Sequence, residues 1–140
     1  MQNKFYSIRK LNKINNPKGE ILLGLKKNDI EYKNFSELYF SKIYYKNIKG
    51  WKIHKKATMN IVVPFGKIKF VIYDDISKTF FSEIIGIDDY KLLTIYPNSC
   101  FGFQGLTDPF SMLANISDYI NDPKEYMNIE LNSIEYDWSI

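Results

Sequence analysis

The chain has 140 residues, the length of one ordinary domain able to bury a core without disulfides or metals. Apolar residues make up 45% and charged residues 25%, which excludes a disordered, collagen-like or coiled-coil chain. Nineteen Lys+Arg against sixteen Asp+Glu leave a net charge of +3, and Arg9 is the only arginine. Bidentate reading of guanine or phosphate therefore has almost no residue to use, and no nucleic-acid partner is expected. The lone Cys100 excludes an intrachain disulfide and, with no apolar run at the N-terminus, suits a cytoplasmic protein. Apolar stretches such as Ile61-Val62-Val63 fall far short of a membrane span, so no membrane partner is expected. Eleven Tyr, ten Phe and two Trp give an aromatic content of 16%, more than the core of one domain needs, and such rings also line pockets for sugars and bases.

Turn signals punctuate the chain at roughly regular intervals. They occur at Asn15-Asn16-Pro17-Lys18-Gly19, Lys46-Asn47, Pro64-Phe65-Gly66, Asp74-Asp75, Asp88-Asp89, Pro97-Asn98, Thr107-Asp108-Pro109 and Asn121-Asp122-Pro123. Between them lie short segments rich in β-branched and aromatic residues: 21–25, 37–45, 60–63, 67–74, 91–96 and 112–116. In 67–74 the alternation is clean, with Ile68, Phe70 and Ile72 on the face predicted to point inward. In 37–45, Leu38, Phe40 and Tyr44 compete with Tyr39, Ile43 and Tyr45 for the core side, a pattern that suits a strand covered on both faces. Gly66 reads as the turn between two antiparallel strands, and Asn98 as a residue able to take the left-handed conformation. One or two helical turns are predicted in 118–127, limited by Pro123. The fold class expected is all-β, an antiparallel sandwich or barrel.

Five stretches resemble a known group. Lys49-Gly50-Trp51-Lys52-Ile53-His54-Lys55-Lys56 and Gly66-Lys67-Ile68-Lys69-Phe70-Val71-Ile72-Tyr73-Asp74-Asp75 are similar to the central strands of sugar-nucleotide cupins. These comprise the dTDP-4-dehydrorhamnose 3,5-epimerases and the related dTDP-4-keto-6-deoxyhexose 3,4-ketoisomerases. Tyr96-Pro97-Asn98-Ser99-Cys100-Phe101-Gly102-Phe103 sits where the epimerases carry Pro-Pro-Gly-x-x-His-Gly-Phe, and Asp122-Pro123-Lys124-Glu125 with Ile134–Trp138 resembles their C-terminal end. The resemblance implies a single jelly-roll cupin over 1–140, with 1–36 as N-terminal edge strands or a dimer-contact segment. It further implies a homodimer acting on a nucleotide-linked 4-keto sugar, dTDP being the expected nucleotide.

The departures from the family pattern narrow the chemistry. Metal-binding cupins converge His-x-His, a Glu and a further His on one ion, but here those places hold Lys52-Ile53-His54, Thr58-Met59-Asn60 and Phe101. One histidine does not supply the three or four donors of a stable site, so neither metal nor other cofactor is expected. The epimerase base falls at Lys52 and the epimerase acid, a Tyr, near Ala114 or Asn115; of the ketoisomerase His-x-His pair the second survives as His54.

Four residues are the catalytic candidates. His54 is the base, since an imidazole titrates near neutral pH and suits removal of a C–H proton acidified by a ketone. Lys52, on the same strand face, is the donor to the enolate oxygen. Tyr39 or Tyr119 is the acid, with Asp118 beside Tyr119 a further acid or a carboxylate that orients His54. Lys49, Trp51, Asn60, Phe101 and Asn115 are the substrate-binding candidates. The function expected is metal-independent epimerisation at carbon 3 or 5 of a nucleotide-linked 4-keto-6-deoxy sugar, in surface polysaccharide assembly. A 3,4-ketoisomerase and a non-catalytic sugar-nucleotide-binding cupin are the alternatives.

Overall fold

The computed structural model describes residues 2–139. Its strands, in chain order, are β1 (Tyr6–Lys10), β2 (Lys13–Ile14), β3 (Ile21–Leu22), β4 (Glu37–Tyr44), β5 (Ile48–His54), β6 (Met59–Phe65), β7 (Lys67–Asp74), β8 (Thr79–Gly86), β9 (Lys91–Ile95), β10 (Cys100–Gly105), β11 (Phe110–Ser117) and β12 (Tyr126–Asn128). Two five-stranded sheets, in the orders β1-β9-β6-β11-β4 and β12-β5-β10-β7-β8, face each other, and β2 pairs with β3 alone. Every pair of neighbouring strands is antiparallel. The fold is the antiparallel jelly roll expected for a cupin.

The inward alternation read from 67–74 is observed: Ile68, Phe70 and Ile72 are fully buried, and they meet Ile61, Val63, Leu93, Ile95 and Leu113 from the opposing sheet. Burial of each such side chain stabilises by about 1.5–3 kcal/mol, which is what holds the sheets together. The outer faces are partly covered as well. Residues Leu11, Leu22 and Leu25 pack over Val62, Leu92 and Ala114 on the first sheet. The C-terminal segment lays Leu131, Tyr136 and Trp138 over Trp51, Val71 and Cys100 on the second. Residues 2–36 thus supply edge strand β1, the β2–β3 pair and a cover for one outer face.

Several local expectations need correcting. Gly66 does not join two paired strands: β6 and β7 lie in different sheets, and Gly66, at φ 76°, turns the corner between them. A Cβ there would lie 2.5 Å from Ser111 Oγ, whose hydroxyl accepts from the Lys67 N–H and donates to the Lys67 carbonyl. Residues 118–127 form no helix; the Asp118 carboxylate is taken by the Thr58 N–H, and Tyr126 pairs with His54 at the start of β12. The competition along 37–45 is won by Ile43 alone, which is buried; Tyr39, of the same parity, is 40% exposed, and Leu38, Phe40, Tyr44 and Tyr45 are exposed rather than covered. Asn98 takes the left-handed conformation, at φ 66°.

Candidate active site

The two sheets diverge where edge strand β4 of the first faces β5 and β12 of the second, and a cavity of about 650 Å³ opens there. That volume lies within the range of small-molecule sites. Strand alternation delivers Tyr39 and Ser41 from β4, and Leu113 and Asn115 from β11, to the same wall. On β5 the alternation is broken. The register against β10 passes from Lys52↔Phe101 to Gly50↔Gly102, so Trp51 is an extra residue. This bulge lets Lys49 border the cavity together with Lys52 and His54, although its parity alone would turn it away. It also presses the two glycines together: a Cβ on Gly50 would stand 3.1 Å from Gly102 Cα.

His54 ends β5 and is held by a carboxylate that sequence reasoning missed. Glu125 Oε1 lies 2.7 Å from His54 Nδ1, and Oε2 accepts the N–H groups of Lys56 and Ala57 at 2.9 and 3.0 Å. Burial opposes ionisation of Glu125, but the His54 hydrogen bond and the two amides outweigh it and hold the carboxyl below its ordinary value. An ionised Glu125 accepts the Nδ1–H, so the neutral ring presents Nε2 as its lone-pair nitrogen. Phe101 stacks near the imidazole at a centroid distance of 6.3 Å and 16° between planes, and Tyr126 flanks it at 5.8 Å. Asp118, expected as a further acid or as a carboxylate that orients His54, instead accepts the Thr58 N–H. Glu125 was legible only as part of the family-like Asp122–Glu125 stretch, because the chain separates it from His54 by 71 residues.

Lys52 is half-buried and its ammonium lies 4.5 Å above the Tyr126 ring. Burial pushes it below the ordinary lysine value, with Glu125 opposing and Lys49 reinforcing that shift. Lys49 is anchored further out, donating to Ser41 Oγ and the Lys42 carbonyl. Opposite them on the β4–β11 wall, the Tyr39 hydroxyl accepts a hydrogen bond from Asn115 Nδ2 at 2.8 Å. Burial raises the Tyr39 phenol, the Asn115 donor works against that, and Glu37 adds to it; the balance keeps it protonated. Tyr119 borders the same cavity and is 43% exposed.

The structure thus brings together His54, Lys52, Tyr39, Tyr119, Lys49, Phe101 and Asn115 around one cavity. Trp51 borders it, yet its indole is buried against Phe80, Tyr136 and Trp138 and donates Nε1–H to the Leu131 carbonyl. Asn60 does not border the cavity: on β6 it has the opposite parity to Met59 and Ile61, and its amide binds Thr94 Oγ1 and the Glu31 carbonyl. Cys100 lies on the far face of the second sheet, where burial first and Asp75 second push its thiol up to about 11, outside the range of a nucleophile at neutral pH. Among the described residues no three His, Cys, Asp or Glu side chains converge. No helix among them is long and apolar enough to cross a membrane.

No family model matches the chain, and no curated protein matches it. Solved structures do. It is similar to a dTDP sugar isomerase from Desulfovibrio desulfuricans G20, at 27% identity and a TM-score of 0.89, over 96% of this chain and 91% of that one. A dTDP-4-dehydrorhamnose 3,5-epimerase from Sulfolobus tokodaii shares the fold at 18% identity and a TM-score of 0.82, over 96% and 82% of the two chains. The sugar 3,4-ketoisomerase of Thermoanaerobacterium thermosaccharolyticum, solved with TDP, does so at 16% identity and a TM-score of 0.76, over 90% and 89%. The solved structures to which the chain is similar, a dTDP sugar isomerase, a 3,5-epimerase and a 3,4-ketoisomerase, match the group that the motifs of β5, β7 and β10 resemble.

Proposed function

We propose that the chain is an isomerase of nucleotide-linked sugars, epimerising carbon 3 or 5 of a dTDP-linked 4-keto-6-deoxy sugar without a metal. The observation that carries this reading is the His54–Glu125 pair, set in a cavity beside Lys52 and facing a phenol. A ketone at carbon 4 acidifies the neighbouring C–H bonds, so the reaction needs a base, an acid across the ring and a donor for the enolate oxygen. His54 Nε2 takes the proton from carbon, and Glu125, holding the Nδ1–H, offsets the charge of the imidazolium that forms. Lys52 donates to the oxygen as it gains negative charge. Tyr39 returns a proton to the opposite face of the carbon and becomes phenolate, stabilised by the Asn115 N–H. Tyr119, which borders the same cavity, is the alternative acid. Exchange with water then returns imidazolium and phenolate to their starting states. The expected role in surface polysaccharide assembly and the homodimer belong to the same reading, with the exposed Leu38, Phe40 and Tyr44 of β4 as apolar surface for a second copy.

A 3,4-ketoisomerase is the second reading, supported by His54 standing where those enzymes keep the second histidine of their pair. It uses the same enolate but reprotonates at carbon 4. Incubation with dTDP-4-keto-6-deoxyglucose in D2O tests both. Deuterium at carbon 3 or 5 with an inverted centre supports epimerisation, a 3-keto product supports ketoisomerisation, and no deuterium at any ring carbon across several 4-keto sugar nucleotides overturns both.

A further inference from the structure

Asn115 has a group that the proposed chemistry leaves unused. Its residue is 2% exposed, its Nδ2 is committed to Tyr39, and its Oδ1 is buried without a protein partner among the described residues. The other buried polar atoms in that condition belong to Asn3 and Gln104, neither of which borders the cavity. A buried carbonyl oxygen left unmatched is costly, and native structures reserve such atoms for water or ligand. Asn115 stands directly opposite Tyr39 in the β4–β11 register, and both side chains border the cavity. Its neighbours on the same face, Ile61 and Leu113, have no hydrogen to donate, and Ser117 gives its hydroxyl hydrogen to the Tyr119 carbonyl, so Oδ1 is left for what occupies the cavity.

We propose that Asn115 reads a sugar hydroxyl: its Oδ1 accepts the O–H of a ring hydroxyl while its Nδ2–H holds the Tyr39 oxygen, tying recognition of a hydroxyl-bearing sugar to placement of the acid. This inference rests on the reading of the site as a dTDP-sugar isomerase, and it restricts the substrate class. The sugar keeps a free hydroxyl on the side of the ring facing β11, and an analogue deoxygenated there is rejected. Because Nδ2 donates to Tyr39, the phenol does not spend its own O–H on Asn115 and keeps it for the substrate. The amide acts on Tyr39 as a positioning residue and on the sugar as a binding residue.

The test is calorimetric binding of dTDP, dTDP-glucose and its 2-deoxy, 3-deoxy and 4-deoxy analogues to wild-type, Asn115→Ala and Asn115→Asp proteins, with turnover of dTDP-4-keto-6-deoxyglucose measured beside it. The wild type is expected to bind one deoxy analogue about 10- to 100-fold more weakly than dTDP-glucose. Asn115→Ala erases that difference and leaves dTDP affinity unchanged, which also reports that the variant is folded. Asn115→Asp keeps an acceptor but loses the donor to Tyr39, so it retains the hydroxyl preference and loses turnover by about 10-fold or more. A wild type indifferent to every deoxy analogue, or an Asn115→Ala protein with undiminished discrimination, overturns the hydroxyl-reading role. Wild-type turnover in Asn115→Asp overturns the positioning of Tyr39. Failure of the wild type to bind both dTDP and dTDP-glucose overturns the isomerase reading itself, and this inference with it.

Discussion

Replacing Glu125 with glutamine separates the orienting carboxylate from the bulk it occupies. In the native site one oxygen faces His54 Nδ1 at 2.7 Å and the other takes two amides, at 2.9 and 3.0 Å. Glutamine has a single carbonyl oxygen. If that oxygen stays on the amides of Lys56 and Ala57, the NH2 group faces Nδ1, which has to be unprotonated, and the ring proton moves to Nε2, the nitrogen required as base. If the side chain turns over, the NH2 group confronts two N–H donors and leaves them unmatched, at a cost of about 1–3 kcal/mol. Either arrangement removes the base or destabilises its support. The expected loss in turnover is about 100- to 10,000-fold, equivalent to about 3–5 kcal/mol of barrier at 1.36 kcal/mol per decade. The assay is the initial rate of deuterium incorporation into dTDP-4-keto-6-deoxyglucose, corrected for folded fraction from a urea melt. The same substitution has a pH signature. Glu125 is held below its ordinary value of 4.5, so its contribution to stability is complete above that pH and is lost as pH falls through the lower folded value. Glu125→Gln should therefore flatten the acid limb of the stability profile below pH 4.5. Turnover within a few-fold of wild type, with the acid limb unchanged, would refute the assignment of Glu125 to His54.

Other consequences concern neighbouring residues. His54→Asn should lower turnover by about 100-fold or more while leaving nucleotide-sugar affinity nearly unchanged, because a neutral base acts mainly in the transition state; a protein that melts several degrees lower yet turns over normally once corrected for folding would reassign His54 to packing. With Lys52 acting as an ammonium, turnover should fall as pH rises through its lowered value, at a pH below the ordinary 10.5 of lysine, and Lys52→Met should remove that basic limb together with about 10- to 100-fold of the rate; an unchanged limb in the pH–rate profile would transfer the donor role elsewhere. Gly66→Ala combines a left-handed backbone at φ 76° with a Cβ 2.5 Å from Ser111 Oγ, and should destabilise by about 2–4 kcal/mol. A shift of the urea midpoint at constant m-value measures it, and an unmoved midpoint would show that the corner between the sheets relaxes freely.

What the amino-acid sequence determines by itself is the local grammar of the fold. Turn residues spaced along the chain and the clean alternation of Ile68, Phe70 and Ile72 specify strands with one inward face, since period two follows from backbone geometry alone. The same local reasoning places Asn98 in a left-handed turn and puts Lys52 and His54 on one face of one strand. The tertiary structure decides everything that depends on residues far apart in the chain. Which parity of β4 faces inward is settled by its pairing with β11: Tyr39 meets Asn115 beside the cavity, Ile43 is buried, and Leu38, Phe40 and Tyr44 are left outside. Lys49 enters the cavity through a bulge that exists only in the pairing of β5 with β10, and Gly66 turns a corner between sheets instead of closing a hairpin. Asn60 is carried to the other face of β6 because Met59 and Ile61 claim the inner one. Glu125 reaches His54 by folding of a segment 71 residues downstream, whose irregular backbone carries no periodicity from which its direction follows. Local sequence dictates backbone conformation through sterics and hydrogen bonding within a few residues, whereas a site is a coincidence of side chains in space that only the packing of the sheets brings about.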